Sequence, residues 1–170
     1  MAKEIERKFL LAEGASIPIP EGYMRLSIKQ GYIHVEKGKQ IRVRLTKFGK
    51  RESANVCIKY TSGLVRDEFD FFVGSLLEGS LKEAKELYKK CEFFLEKKRL
   101  TFQRGKEHYD VDTYPNGMQW VEVEFKSIKD MKKWEKKKPH WIGKEITDVR
   151  KYSNIALAKK KLKFNGKRNS

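Results

Sequence analysis

Glu4-Ile5-Glu6-Arg7-Lys8-Phe9-Leu10 is the stretch from which the fold is read. In an extended chain Glu4, Glu6 and Lys8 point to one side and Ile5, Arg7 and Phe9 to the other, because strand side chains alternate. A single charged face is ordinary for an antiparallel sheet, which leaves one side wet. Like-signed neighbours two residues apart are less ordinary, since they repel and do nothing for the sheet. The same pattern recurs along the chain. Arg42 and Arg44 oppose Ile41, Val43 and Leu45, and Asn55 and Lys59 oppose Val56 and Ile58. Arg66, Glu68 and Asp70 oppose Val65, Phe69 and Phe71, and Lys97 and Arg99 oppose Leu100 and Phe102. Asp110 and Asp112 oppose Tyr109 and Val111, and Glu122 and Glu124 oppose Val121, Val123 and Phe125.

Alternating runs at 3–11, 27–36, 40–47, 53–60, 65–72, 96–103, 107–114 and 119–126 predict eight strands. Tyr114-Pro115-Asn116-Gly117 reads as a hairpin turn, and Lys37-Gly38-Lys39 as another. Ser80 is read as the cap of a helix reaching about Leu95, with Glu83 completing a capping box. Residues 128–137 predict a short helix burying Ile128, Met131 and Trp134, and about 149–162 predicts a last one. A closed barrel with its charged faces inward satisfies both sets of faces. The expected fold is therefore α+β: an eight-stranded antiparallel closed β-barrel, a tunnel with a charged lumen, and helices packed outside. Residues 1–158 form the domain and 159–170 a basic C-terminal tail.

Composition bounds the function. At 170 residues the chain has room for one sizeable core. The net charge of +16 points to an anionic partner. No apolar stretch approaches the ~20 residues that span a bilayer. The start, Met1-Ala2-Lys3-Glu4, is too charged for a signal peptide. Cys57 and Cys91 lack metal spacing, so free thiols and a cytoplasmic location are expected. No nucleotide-loop or zinc-protease motif is present. Basic faces suit a polyanion, and acidic faces suit a divalent metal, which takes carboxylate oxygen.

These residues resemble the CYTH domain, or triphosphate tunnel metalloenzymes. The N-terminal ExExK strand is that family's signature. Gln30-Gly31-Tyr32, Arg42-Val43-Arg44, Ile58-Lys59, Arg66-Asp67-Glu68-Phe69-Asp70 and Glu96-Lys97-Lys98-Arg99 resemble its successive motifs in order. Asp110-Val111-Asp112, Val121-Glu122-Val123-Glu124 and Trp141-Ile142-Gly143-Lys144-Glu145-Ile146-Thr147, then Tyr152-Ser153-Asn154, continue the register to about Leu157. Asp70 stands where the family has Glu, Val73-Gly74 near the place of its Ile-Pro, and Tyr109 where it has Trp.

The resemblance implies a tunnel that binds triphosphate with Mg²⁺ or Mn²⁺. It implies Glu4, Glu6, Asp112, Glu122 and Glu124 as metal residues. Lys8, Arg42, Arg44, Lys59, Lys97 and Arg99 are implied for the phosphates, and Lys8 and Tyr32 as catalytic residues. The expected activity is metal-dependent hydrolysis of a triphosphate compound, foremost inorganic tripolyphosphate, with release of the terminal phosphoryl group. A class IV-type adenylate cyclase or a thiamine triphosphatase would use the same grip. The non-enzymatic alternative is a module that binds polyphosphate or an RNA 5′ end. A membrane or nucleic-acid partner is not expected, and the resemblance allows a homodimer. The lysine runs at 132–138 and 159–161 read as solvated helix faces, or as surfaces that draw in an anion.

Overall fold

The computed structural model describes residues 2–36, 39–60, 65–73 and 78–160, with side chains at 2–4, 34, 59–60, 65–73 and 78–79 outside that description. The turn at 37–39, Val73-Gly74, residues 161–170 of the basic tail and the side chains of Glu4, Lys59, Arg66, Glu68 and Asp70 therefore lie beyond it in whole or in part.

The chain orders as β1 (Ala2–Leu11), β2 (Met24–Glu36), β3 (Lys39–Phe48), β4 (Arg51–Tyr60), β5 (Val65–Val73), α1 (Glu78–Lys89), β6 (Phe93–Arg104), β7 (Glu107–Thr113), β8 (Gln119–Phe125), α2 (Ile128–Glu135), β9 (Ile142–Glu145), a 3-10 turn (Arg150–Tyr152) and α3 (Asn154–Lys159). The eight alternating runs are all strands. The ninth, β9, falls in the Trp141–Thr147 motif and is too short for alternation to reveal.

The strands form one antiparallel sheet in the order β5-β4-β3-β2-β6-β7-β8-β1-β9. The sheet curls until its ends meet, but they meet only where Ala2–Ile5 pair with Val65–Glu68. Further along β1 that edge is taken by β9, through Phe9↔Glu145 and Leu11↔Ile142. The fold is thus a curled half-barrel, open along most of the β1–β5 edge, rather than the expected closed barrel. A strand edge can hold only one neighbour, and β9 occupies the rest of it.

The convex face is apolar, as alternation requires. Ile5, Phe9, Phe102, Tyr109, Val121, Val123 and Phe125 pack there under Met131 and Trp134 of α2 and under Trp141 and Ile142. The Trp134 indole donates to the Tyr109 hydroxyl at 2.8 Å. Ser127 caps α2, its Oγ accepting from Asp130 N at 3.1 Å. Ile128 is 38% exposed, so it does not belong to the buried side expected of it.

α1 covers another part of the convex face. It ends at Lys89, short of Leu95, and Ser80 lies inside it rather than at its cap. Cys91 and Leu95 do fit the helical stripe. The ladder with β2 prevails, pairing Leu95 with Gln30 and Lys97 with Ile28. Gly31 permits this contact: a Cβ there would run into Cys91, with the Tyr88 ring 3.1 Å away.

α3 departs from the expectation that helices lie outside. Leu157 and Ala158 pack on Tyr32, Leu95, Tyr114 and Trp120, which project from the concave face with the charged residues. Those strands carry large apolar side chains at one end, and α3 covers them. Its cap is Ser153, whose Oγ accepts from Ala156 N at 3.2 Å. Among the described residues no helix is long and apolar enough to cross a membrane.

Gly31→Ala tests the fit between α1 and β2. It should lower unfolding stability by about 1–3 kcal/mol, read as a reduced urea midpoint with an unchanged slope.

Candidate active site on the concave face

Register alone assembles the charges. Across β6, β7, β8 and β1, Thr101, Asp110, Glu122 and Lys8 lie side by side. One row nearer the open end stand His108, Glu124 and Glu6. One row deeper, Arg99 faces Asp112. On the other wall Gln30 pairs with Arg44 and Tyr32 with Arg42. Lys59 stands opposite Gln40 and Glu68 in the backbone ladder.

Asp112 is the hub and is wholly buried. Its Oδ1 accepts Arg99 Nε at 2.7 Å. Its Oδ2 accepts Arg99 Nη2 at 2.7 Å and Lys97 Nζ at 2.6 Å. Arg99 also donates from Nη2 to Glu122 Oε2 at 2.7 Å and from Nη1 to Asp110. Glu122 Oε1 lies 2.9 Å from Lys8 Nζ, which sits over the Trp120 ring. This is planar, bidentate recognition, for which a guanidinium is suited and an ammonium is not.

The electrostatics follow from this packing. Burial would raise Asp110, but Arg99 and His108 outweigh it and hold the carboxyl at about 2. Burial would raise Glu122 too, and Lys8, Lys97 and Arg99 keep it well below the usual range. Burial and the nearby Arg99 push Lys97 down to about 8, against Asp112. Burial, then Arg42 and Arg99, push Arg44 down to about 10. The Arg44 side chain makes no ion pair or hydrogen bond to any described residue, and its buried Nε has no partner. Burial raises the Tyr32 phenol, only partly offset by Arg42 and Arg44. Its oxygen accepts from Gln30 Nε2 at 3.1 Å, so the phenol keeps its proton for donation.

Lys8, Tyr32, Arg42, Arg44, Lys97, Arg99, Asp112 and Glu122 are thus all brought to one face. Sequence reading missed several supports. Thr101 Oγ1 and Asp110 Oδ1 lie 2.9 and 3.1 Å from His108 Nε2, and the Asp110 bond raises the imidazole. Tyr114 donates to Asn154 Oδ1 at 2.7 Å and lies 3.4 Å from Asp112 Oδ2, tying α3 to the hub. Alternation had placed Tyr114 and His108 on runs, and only register could show their neighbours. Glu145 belongs to the other face, where it holds Arg7 Nε at 2.8 Å.

The donors bear on metal. Among the described residues, no three of His, Cys, Asp and Glu converge as a ready-made cation site. Asp112 and Glu122 already spend their oxygens on Arg99, Lys97 and Lys8. Glu6 and Glu124 are direct cross-strand partners, and like charges so placed repel. Hard carboxylate oxygens in that position fit a divalent ion.

The scan against protein-family models matches none of them. A protein from Acetivibrio thermocellus named inorganic triphosphatase is 32% identical over 165 residues, spanning 94% of this chain and 95% of that one. The chain belongs to the triphosphate tunnel metalloenzyme (CYTH) family. Its curled sheet is that family's. The crystal structure of the inorganic triphosphatase NE1496 matches with a TM-score of 0.56 and 25% identity, over 93% of this chain and 95% of that chain. The PH1819 protein of Pyrococcus horikoshii OT3 shares the fold, with a TM-score of 0.63 at 18% identity, over 92% and 99% of the two chains. The family as a whole is metal-dependent.

Asp112→Asn tests the hub. It strips the counter-charge from two buried cations, and breaking a buried pair typically costs ~3–5 kcal/mol. Urea unfolding followed by tryptophan fluorescence should show a loss of that size. Asp148→Asn, on the exposed surface, should move the midpoint little.

Proposed function

We propose that this protein is a metal-dependent triphosphatase acting on inorganic tripolyphosphate within the concave face. One observation carries the reading most directly. Arg44 is a buried guanidinium that forms no ion pair with a described carboxylate, next to Arg42 and Arg99, and burial disfavours its charge. An anion of several charges supplies what the protein leaves out. The relative named inorganic triphosphatase supports the same substrate class. The floor supports an inorganic chain over a nucleotide. Tyr32, Tyr114 and Trp120 are buried beneath α3 and offer no open ring on which a base could stack.

In this reading Arg44 and Arg42 grip phosphate oxygens by paired N–H donation, with Lys59 and Lys97 as point charges. Arg99, neutralised three-fold by Asp110, Asp112 and Glu122, orients the grip more than it adds charge. Glu4, Glu6 and Glu124 would hold the Mg²⁺ or Mn²⁺. Asp112 and Glu122 would keep the cations in place instead of binding metal. When bound, the ion neutralises phosphoryl oxygens and lowers the pKa of water. Lys8, once drawn from Glu122 toward substrate, can hold or pass a proton at its Nζ. Tyr32 keeps its phenolic proton and would donate a hydrogen bond to an oxygen at the inner end of the chain. Phosphoryl transfer needs little beyond this positioning and charge stabilisation.

The test is phosphate release from tripolyphosphate, ATP and thiamine triphosphate, with Mg²⁺, Mn²⁺ or a chelator. Tripolyphosphate should be preferred and the chelator should abolish release. Glu6→Gln should lower kcat by about 10²–10³. Arg44→Ala should raise KM by about 10–100-fold, the worth of one or two charge-assisted hydrogen bonds. Tight, chelator-resistant binding of tripolyphosphate without release would replace the enzyme by a binding module.

A further inference from the structure

α2 has a second face that the active site does not use. Met131 and Trp134 point into the core. Lys129, Lys132 and Lys133 of α2, and Lys136 and Lys137 in the turn that follows it, are all exposed. They recur at three- and four-residue spacing, so each stands one turn from another lysine. Like charges at that spacing weaken a helix. The local carboxylates do not relieve them. Glu135 is committed to Arg7 at 2.5 Å. Asp130 is held by Ser127 Oγ at 2.6 Å, with Lys106 at 3.8 Å. None of the five lysines forms an ion pair or a side-chain hydrogen bond with a described residue.

The stems of Lys129, Lys132, Lys133 and Lys136 and the exposed Ile128 line a shallow groove of about 380 Å³. The groove lies on the outer side of α2, and its Ile128 end follows β8 after only Lys126 and Ser127, four residues past Glu124. The Lys106–Asp130 contact ties the same end of α2 to the turn that precedes His108.

We infer that this face of α2 is an exosite for a linear inorganic polyphosphate longer than tripolyphosphate, one that leaves the concave face at its open end and runs along the lysine stripe. The inference rests on the proposed triphosphate site for the chain's inner end. Charge complementarity selects a polyanion. The lack of aromatics in the groove selects one without bases, since Trp134 and Trp141 are buried and the groove is lined only by Ile128 and lysine stems. Single-stranded nucleic acid is normally gripped by stacking as well as charge.

The test replaces Lys129, Lys132, Lys133 and Lys136 together by Gln. Binding of long-chain polyphosphate is then measured by calorimetry across a salt series, beside tripolyphosphate turnover. The core side of α2 is untouched and like-charge repulsion falls, so the thermal midpoint should hold or rise. Long-chain affinity should drop about 10–100-fold, and the slope of log affinity against log salt should become shallower by about 3. Tripolyphosphate kcat and KM should stay as in the unmodified protein. Unchanged long-chain affinity overturns the exosite. So does an equal loss for tripolyphosphate, which would mean only a general field. Single-stranded RNA binding more tightly than polyphosphate, and weakened by the same changes, would also overturn it in favour of a nucleic-acid surface. If the unmodified protein releases no phosphate from tripolyphosphate and yet loses long-chain binding with the lysines, the exosite stands and the hydrolase reading falls.

Discussion

A fully buried carboxylate, Asp112, holds two buried cations, and the rest of the concave face depends on it. Its two oxygens meet Arg99 in a fork and Lys97 end-on. Burying charge is expensive, and a pair this deep adds little net stability over an apolar substitute. What it provides is a fixed arrangement. Arg99 spans Asp110, Asp112 and Glu122 on two strands, and Glu122 reaches Lys8 on a third, so the lateral spacing of β6, β7, β8 and β1 is set by side chains as well as by the backbone ladder.

The convex face braces the same strands from behind. Arg7 lies between Lys8 and Glu6 in sequence but points the other way, to Glu135 and Glu145. The backbone of Lys8 is held on its outer edge, its N–H by Thr147 Oγ1 at 3.1 Å and its C=O by Ile146 N at 2.7 Å. The strand carrying Glu6 and Lys8 is thus fixed on three sides.

Much of this was legible in the sequence, and for a stated reason. Period-two alternation with charge on one face is a strong signal, and it located eight strands and the inward direction of Lys8, Arg99, Asp112 and Glu122. Three features were not legible. Whether the sheet closes depends on competition between β5 and β9 for one edge of β1, and no local pattern encodes it. The helix expected through Leu95 failed because Cys91 and Leu95 satisfy helical and strand spacing alike.

 The third was α3. Its short apolar run looked like any surface helix, and only the floor of Tyr32, Leu95, Tyr114 and Trp120 shows that it packs on the concave side. At the site, alternation found the charged residues but not their pairing. Asp112 and Glu122 read as metal residues from the motif, and their ion pairs to Arg99, Lys97 and Lys8 came into view only with register and burial.

The position of β1 has a kinetic consequence. The first strand in the sequence is interior to the sheet, with β8 along one edge and β5 and β9 along the other. No neighbour in sequence can pair with it, so most of its partners are supplied only after β8 has formed. Folds dominated by such sequence-distant pairings fold slowly. During synthesis β2 to β5 can assemble as a meander and β6 and β7 can add beside β2, while β1 waits with Glu6 and Lys8 still hydrated. Docking of β1 is then the step that draws Glu6 against Glu124 and Lys8 against Glu122, so the rate of refolding should respond to ionic strength more than the rate of a neutral sheet would.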